Sequence, residues 1–142
     1  MNQAPDLSRY TEAHRDSYRN ALAEIKNGRK TSHWMWYIFP QIHGLGMSST
    51  SRYYAIRDQA EAIAFLRDPY LGGNLTEITG ALLALDGNDA GAIFGWPDDM
   101  KLRSCMTLFA AVSEEGSVFH QVLDRYFGGK PDEKTLSILG QR

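Results

Sequence analysis

The sequence predicts an all-α fold, a compact multihelical single domain of six to eight helices around a short buried aromatic helix. Three observations lead to this prediction. Between residues 71 and 85, apolar side chains alternate at spacings of four and three, as on one face of a helix: Leu71, Leu75, Ile78, Leu82 and Leu85. Residues 34–39 are apolar on every side, which suits a helix at the centre of a domain. No Asn-Gly or Asp-Gly pair lies between alternating apolar runs, so no β-hairpin is indicated.

Glycine and proline divide the first part of the chain. Residues 8–27 are predicted to form a helix that ends at Gly28, since glycine readily adopts the left-handed conformation after a helix. A second, buried helix is predicted over residues 32–39, where Pro40 ends it. A strand is the alternative there, because aromatic side chains favour strands, but no partner strand is apparent. Residues 41–52 are predicted to form a loop rich in glycine and hydroxyl groups.

Capping residues mark the helices that follow. Asp58 and Glu61 resemble a capping box and predict a helix that extends to residue 67. Asp68-Pro69 ends it, because the residue before a proline avoids helical geometry. Asn88 is then expected to cap a short helical turn.

Three more helices are predicted towards the C-terminus. Pro97 suits the first turn of a helix. The apolar side chains that are expected to form the buried stripe of this helix are Leu102, Cys105, Met106 and Phe109. Ser117 is expected to cap the next helix, and Pro131 to begin a short last one.

Composition limits the classes of function. The 142 residues, 43% of them apolar, fit a single globular domain over residues 1–142. A net charge of −2 predicts neither general nucleic-acid binding nor membrane association. One cysteine, Cys105, rules out an internal disulfide, and we expect a cytoplasmic protein with a buried, inert thiol. The four histidines lack metal-ligand spacing, so neither a metal nor a cofactor is predicted.

The glycine-rich loop is the first candidate site. Gly44 and Gly46 allow backbone N–H groups to approach an anion, and the Ser48 hydroxyl adds a donor. Lys30 and Arg52 lie on either side of it in sequence and would bind phosphate. The loop lacks the third glycine of a dinucleotide fingerprint, so a plain connecting loop is the competing interpretation.

Aromatic and titratable side chains near this loop form the second set of candidates. Trp34 and Trp36 have faces that stack on a base or a sugar, although core packing with at most one indole facing a cleft is favoured. His33 and Asp98 are the candidates for moving a proton. Their competing interpretations are a structural histidine and a solvated helix face.

Three polar residues complete the candidate ligand-binding set. Lys101 and Ser104 belong to a polar strip on the helix that begins near Pro97. Gln41 follows the aromatic segment. Burying such groups without partners costs about 1–3 kcal/mol each, so they either line a pocket or form an internal network.

Four segments carry a family resemblance: SHWMWYIFPQ (32–41), GLGMS (44–48), YAI (54–56) and FGWPDDMKLRSCMTLF (94–109). Together they resemble the bacterial family catalogued as domain of unknown function 1810, over nearly the whole chain. The resemblance implies a compact multihelical fold with a central buried helix and implies no activity. Cys105 is a departure, since the family often has a second serine there.

Two classes of function follow. The first is a binding site, with or without enzymatic activity, for an anionic small molecule such as a nucleotide or a sugar phosphate. The second is a non-catalytic helical module that binds a protein partner, whose identity the sequence leaves unknown. The second predicts an exposed apolar patch of several hundred Å².

Overall fold

The computed structural model describes residues 5–140, which form nine α-helices. These are α1 (Ser8–Lys26), α2 (Met35–Ile38), α3 (Ser49–Tyr54), α4 (Gln59–Arg67), α5 (Pro69–Ala84), α6 (Ala90–Phe94), α7 (Asp98–Ala111), α8 (Val118–Phe127) and α9 (Glu133–Leu139). The all-α prediction is confirmed, although nine helices exceed the six to eight expected. Across the same residues the β-type pairing consists of an isolated parallel bridge between Ile42 and Ile56.

The core lies among the long helices. α5 packs between α1, α4 and α8, and α7 packs against α8. The predicted α5 stripe is confirmed, because four of its side chains are fully buried: Leu71, Leu75, Ile78 and Leu82. The α7 stripe is confirmed in the same way, with Leu102, Cys105, Met106 and Phe109 fully buried. Burial of these apolar surfaces provides the main driving force for folding.

The aromatic segment forms a single turn of helix, shorter than predicted. α2 begins at Met35, because the carboxylate of Glu24 binds the backbone N–H groups of Thr31 and Ser32 at 2.7 and 2.9 Å. The N–H groups of Thr31 and Ser32 are thus bound by a side chain of α1, and both residues lie outside α2. The central position is nevertheless confirmed, since Trp34 and Phe39 are almost fully buried.

The predicted loop 41–52 is helical in its second half. α3 begins after Ser48, whose hydroxyl oxygen accepts a hydrogen bond from the Ser51 N–H at 3.1 Å. Serine and threonine side chains can hydrogen-bond to the nearby backbone and so compete with the hydrogen bonds of a helix. In α3, contacts from α1 favour the helix. The Arg9 guanidinium donates to the Tyr53 carbonyl at 2.7 Å, and Tyr10 donates to the Tyr54 carbonyl.

The C-terminal helix is fixed to α7 by side chains. Arg103 donates to the carbonyls of Lys130 and Pro131 at 2.9 and 3.0 Å, and the Thr107 hydroxyl accepts from the Asp132 N–H at 2.8 Å. These bonds hold the segment that leads into α9 against the middle of α7.

Two smaller features complete the fold. Asp89, and not the expected Asn88, caps α6 through the Ala92 N–H at 3.0 Å. Within residues 5–140 no helix has the length and apolar character needed to cross a membrane.

Candidate functional site

A cleft of about 260 Å³ opens where α2, α3, α7 and α9 meet. We call it the cleft, and define it by its lining: Trp36, the 41–46 loop, Ser51, Arg52, Tyr54, Ala55, Pro97, Met100, Lys101, Ser104, Asp132 and Lys134. Seven of the residues predicted to bind a ligand are among these: Trp36, Gln41, Gly44, Gly46, Arg52, Lys101 and Ser104. The other three predicted ligand-binding residues, Lys30, Trp34 and Ser48, lie outside the lining. So do the two candidates for proton transfer, His33 and Asp98.

One wall of the cleft is positioned by the β-bridge. His43 N–H donates to the Ile56 carbonyl at 2.8 Å, and Ile56 N–H donates to the Gln41 carbonyl at 2.8 Å. Ile42 is buried, and it lines the cleft together with its neighbours Gln41 and His43.

A lysine and an indole form the opposite wall. The Lys101 ammonium lies 4.1 Å from the centre of the Trp36 ring, a cation–π contact. The same ammonium donates to Asp98 Oδ1 at 3.0 Å. Lys101 is thus held on one side while the remaining ammonium hydrogens and the half-exposed indole are available to a ligand.

Asp98 is shared between two lysines. Its Oδ2 binds the ammonium of Lys30 at 2.8 Å, and its Oδ1 binds that of Lys101. Burial acts to raise the pKa of Asp98, but the two ammonium groups outweigh it and hold the pKa below its ordinary value. Asp98 is therefore a carboxylate at neutral pH, with one oxygen bound to Lys30 and the other bound to Lys101.

The second lysine–indole pair is closed. Lys30 lies 5.1 Å from the Trp34 ring centre, its side chain is 8% exposed, and Trp34 is 1% exposed. Trp34 Nε1 donates to Glu24 Oε1 at 3.0 Å. Burial acts to raise the pKa of Glu24, yet hydrogen bonds from Ser32, Thr31 and Trp34 lower it to about 2. This network belongs to the core, as the core-packing interpretation predicted for one of the two indoles.

Cations and free donors dominate the cleft. Arg52 and Lys134 have no ion-pair partner among residues 5–140. Within the same range the Trp36 indole N–H and the Tyr54 hydroxyl have no hydrogen-bond acceptor. Burial raises the pKa of Tyr54, so its hydroxyl keeps its proton and remains a donor. Asp132 is the acidic residue of the lining, and its Oδ2 is occupied by Thr135.

The two loop glycines have structural reasons to be glycine. Gly44 has φ +105°, a conformation that L side chains rarely adopt. At Gly46 a Cβ would lie 2.6 Å from the Ser51 hydroxyl oxygen, so the loop could not pack on α3. Both glycines line the cleft.

Ser48 and His33 do not reach the cleft. The Ser48 hydroxyl caps α3 and the residue is exposed outside the lining. His33 is exposed, and its carbonyl accepts from the Tyr37 hydroxyl at 3.3 Å.

The lining residues that were not among the predicted site residues include His43, Tyr54, Asp132 and Lys134. Asp132 and Lys134 reach the cleft through the Arg103 and Thr107 contacts that dock α9, which no local pattern reveals. His43 had a local signal, because it is separated from Gln41 by one apolar residue.

Nucleophilic chemistry by the thiol is disfavoured. Cys105 is fully buried, and burial raises its pKa well above the ordinary value. Among the described residues, no group of three or more His, Cys, Asp or Glu side chains has a metal-binding arrangement.

Sequence comparison places these features in a family. Residues 4–139 match the family described as protein of unknown function (DUF1810). The chain belongs to this family. No curated protein matches it. A solved structure, the conserved hypothetical protein Rv1873 from Mycobacterium tuberculosis, is 41% identical, with a TM-score of 0.92 over 95% of this chain and 96% of that one. Neither description names an activity or a ligand, so function is argued from the cleft.

Proposed function

We propose that this protein binds an anionic small molecule, a phosphate ester of a nucleoside or a sugar, in the cleft. The observation that carries the proposal is the Lys101–Trp36 pair, held open to the cleft by Asp98. It presents a fixed cation and an indole face side by side. A phosphate ester of a ring compound needs both kinds of contact.

The remaining lining supports the same ligand class. Arg52 and Lys134 add positive charge without a carboxylate partner in residues 5–140. The Tyr54 hydroxyl and the Gln41 amide add donors for phosphate or sugar oxygens. Ligand pockets combine apolar walls with a few convergent polar groups, and Met100, Pro97 and Leu45 supply apolar surface here.

Fluorescence titration tests the proposal directly. In a Trp96→Phe variant the remaining indoles are the buried Trp34 and the cleft Trp36. We expect nucleoside monophosphates or sugar phosphates to change the emission of Trp36 saturably. Lys101→Met should weaken the affinity at least about tenfold, since a charge-assisted phosphate contact contributes about 1.5–3 kcal/mol.

Lys26→Met provides the matched control for Lys101→Met. Lys26 is an exposed lysine at the end of α1, outside the cleft lining. Its replacement changes net charge by the same amount and should leave the affinity within twofold. An equal loss of affinity in the two variants would mean that only the net charge of the protein matters, and it would contradict a specific binding site in the cleft.

A protein-interaction module is a second candidate, favoured by exposed apolar side chains beside the cleft. Met47 and Trp96 are 80% and 83% exposed, and in sequence they are next to the lining residues Gly46 and Pro97. Exposed apolar patches commonly mark interaction sites. A second copy of the chain is the simplest partner to test. Concentration-dependent self-association that a Met47→Ser, Trp96→Ser double variant abolishes would favour this function, and a strict monomer would count against it.

A further inference from the structure

A second cavity continues the cleft on the side of α3. It has a volume of about 510 Å³ and is lined by Arg9, His43, Arg52, Tyr53, Ala55 and Arg57. We call it the arginine groove. His43, Arg52 and Ala55 line both cavities, so the two share a boundary.

Aromatic contacts also join the two cavities. Tyr54 lines the cleft, and Tyr53 lines the groove. Their ring centres are 4.8 Å apart in an edge-to-face arrangement. A ligand that crosses from one cavity to the other would therefore pass along a continuous surface.

The three arginines of the groove differ in their partners. Arg9 is occupied, because its guanidinium binds Glu61 Oε1 at 2.8 Å and the carbonyls of Tyr53 and Ala55. Arg52 and Arg57 have no ion-pair partner in residues 5–140. Asp6 and Glu61 are nearby carboxylates, but Glu61 is already bound to Arg9 and Asp6 is outside the lining. Arg52 and Arg57 thus leave uncompensated positive charge next to the cleft.

We propose that the arginine groove is a second anion subsite, so that the ligand carries two linked phosphates, as a nucleoside diphosphate does. The ring system contacts Trp36, the first phosphate lies near Lys101 and Arg52, and the second lies between Arg52 and Arg57. Planar guanidinium groups bind phosphate oxygens in pairs, which suits them to this position. The inference rests on the proposed function and specifies its ligand class.

Calorimetry with paired nucleotides tests the subsite. The probes are the 5′-mono- and 5′-diphosphates of adenosine, guanosine, cytidine and uridine. For the base that binds best, we expect the diphosphate to bind the wild-type chain at least about tenfold more tightly than the monophosphate. Arg57→Ala should bring the two affinities within twofold while leaving that of the monophosphate unchanged.

Arg19→Ala is the control, because Arg19 is an exposed arginine on α1 outside both cavities. It should keep the wild-type ratio of affinities. An unchanged ratio in Arg57→Ala, or equal binding of the two nucleotides by the wild type, would overturn the second subsite and leave monophosphate binding intact. Absence of any nucleotide or sugar-phosphate binding would overturn the proposed function and the subsite together.

Discussion

Two lysine–tryptophan pairs share Asp98, and they differ in what surrounds them. Lys30 and Trp34 are enclosed, and the Trp34 indole N–H is bound by Glu24. Lys101 and Trp36 have nearly the same arrangement, but their indole N–H has no acceptor within residues 5–140 and faces the cleft. The same chemical unit is therefore satisfied internally on one side of Asp98 and left open on the other.

This difference separates stability from binding. Buried polar groups are costly unless they are fully hydrogen-bonded, and the enclosed pair meets that condition through Glu24 and Asp98. The open pair retains unused donors that water satisfies in the absence of a ligand. Changes to the enclosed side should therefore lower the free energy of unfolding, whereas changes to the open side should lower affinity.

The largest expected effect comes from removing the charge of Glu24. This carboxylate accepts hydrogen bonds from Thr31, Ser32, Trp34 and Asn20, at distances between 2.6 and 3.0 Å. Glu24→Gln places an amide N–H₂ against these donors, and we expect the free energy of unfolding to fall by about 3 kcal/mol in urea denaturation. Glu12→Gln, at an exposed position of α1, should change it by less than about 0.5 kcal/mol.

Glu24 also predicts an acid dependence. Its pKa is about 2 in the folded chain, below the ordinary 4.5. The contribution of the Glu24 carboxylate to the free energy of unfolding is therefore fully present above pH 4.5 and is lost as the pH falls towards 2. The difference in stability between wild type and Glu24→Gln should shrink over that interval, and a constant difference would contradict the assignment.

Asp98→Asn should have the next largest effect. It leaves the Lys30 ammonium, whose side chain is 8% exposed, without its carboxylate. We expect a loss of about 2 kcal/mol, less than for a fully buried pair because Asp98 itself is 18% exposed. Thermal and urea unfolding measure it, with Asp99→Asn on the same turn as the control. A neutral result would show that the shared carboxylate is dispensable to both lysines.

The two lysines provide the sharpest test of the comparison. Lys30→Met should cost about 1 kcal/mol in stability, since it removes a nearly buried partner from Asp98. Lys101→Met should cost less than about 0.5 kcal/mol, because its side chain is 22% exposed and Asp98 keeps Lys30. Nucleotide affinity should instead fall more in Lys101→Met than in Lys30→Met. Equal effects on both quantities would remove the distinction between an enclosed and an open pair.

Much of the fold could be predicted from local sequence. The apolar periodicity gave α5 and α7, and Asp58 and Ser117 cap the helices expected of them. α3 was missed, because Ser49 and its hydroxyl neighbours favour a loop unless contacts from α1 hold their helix in place. The aromatic helix was overextended, since its start depends on Glu24, a residue in another helix.

The site was predictable in composition and less so in arrangement. Trp34 and Trp36 are two positions apart, and the sequence alone did not show which of them lines a site. Successive residues of a helix point about 100° apart, so residues two positions apart point to different sides. Of these two, Trp36 lines the cleft. Asp98 was expected at the site, but its ion pairs with two lysines from different segments were not indicated by any local pattern. Lys134 and Asp132 depend on how α9 docks, which is a tertiary property.

The smallest expected effect concerns His14, on the enclosed side of α2. Its Nε2 lies 2.9 Å from the Tyr37 carbonyl and its Nδ1 lies 3.1 Å from the Asn74 amide nitrogen, which fits a neutral ring that donates to the first and accepts from the second. Burial lowers the pKa of His14 below 6.5, so between that lowered pKa and 6.5 the unfolded chain binds a proton that the folded chain does not. The stabilising contribution of the neutral His14 ring should therefore be fully present above pH 6.5, and the free energy of unfolding should decline below that pH.

The variant His14→Gln tests this expectation. Glutamine retains a donor and an acceptor, so the decline in the free energy of unfolding below pH 6.5 should be shallower in this variant. An identical pH profile in the wild type and in His14→Gln would contradict this expectation. It would mean that protonation of His14 costs the folded chain no stability.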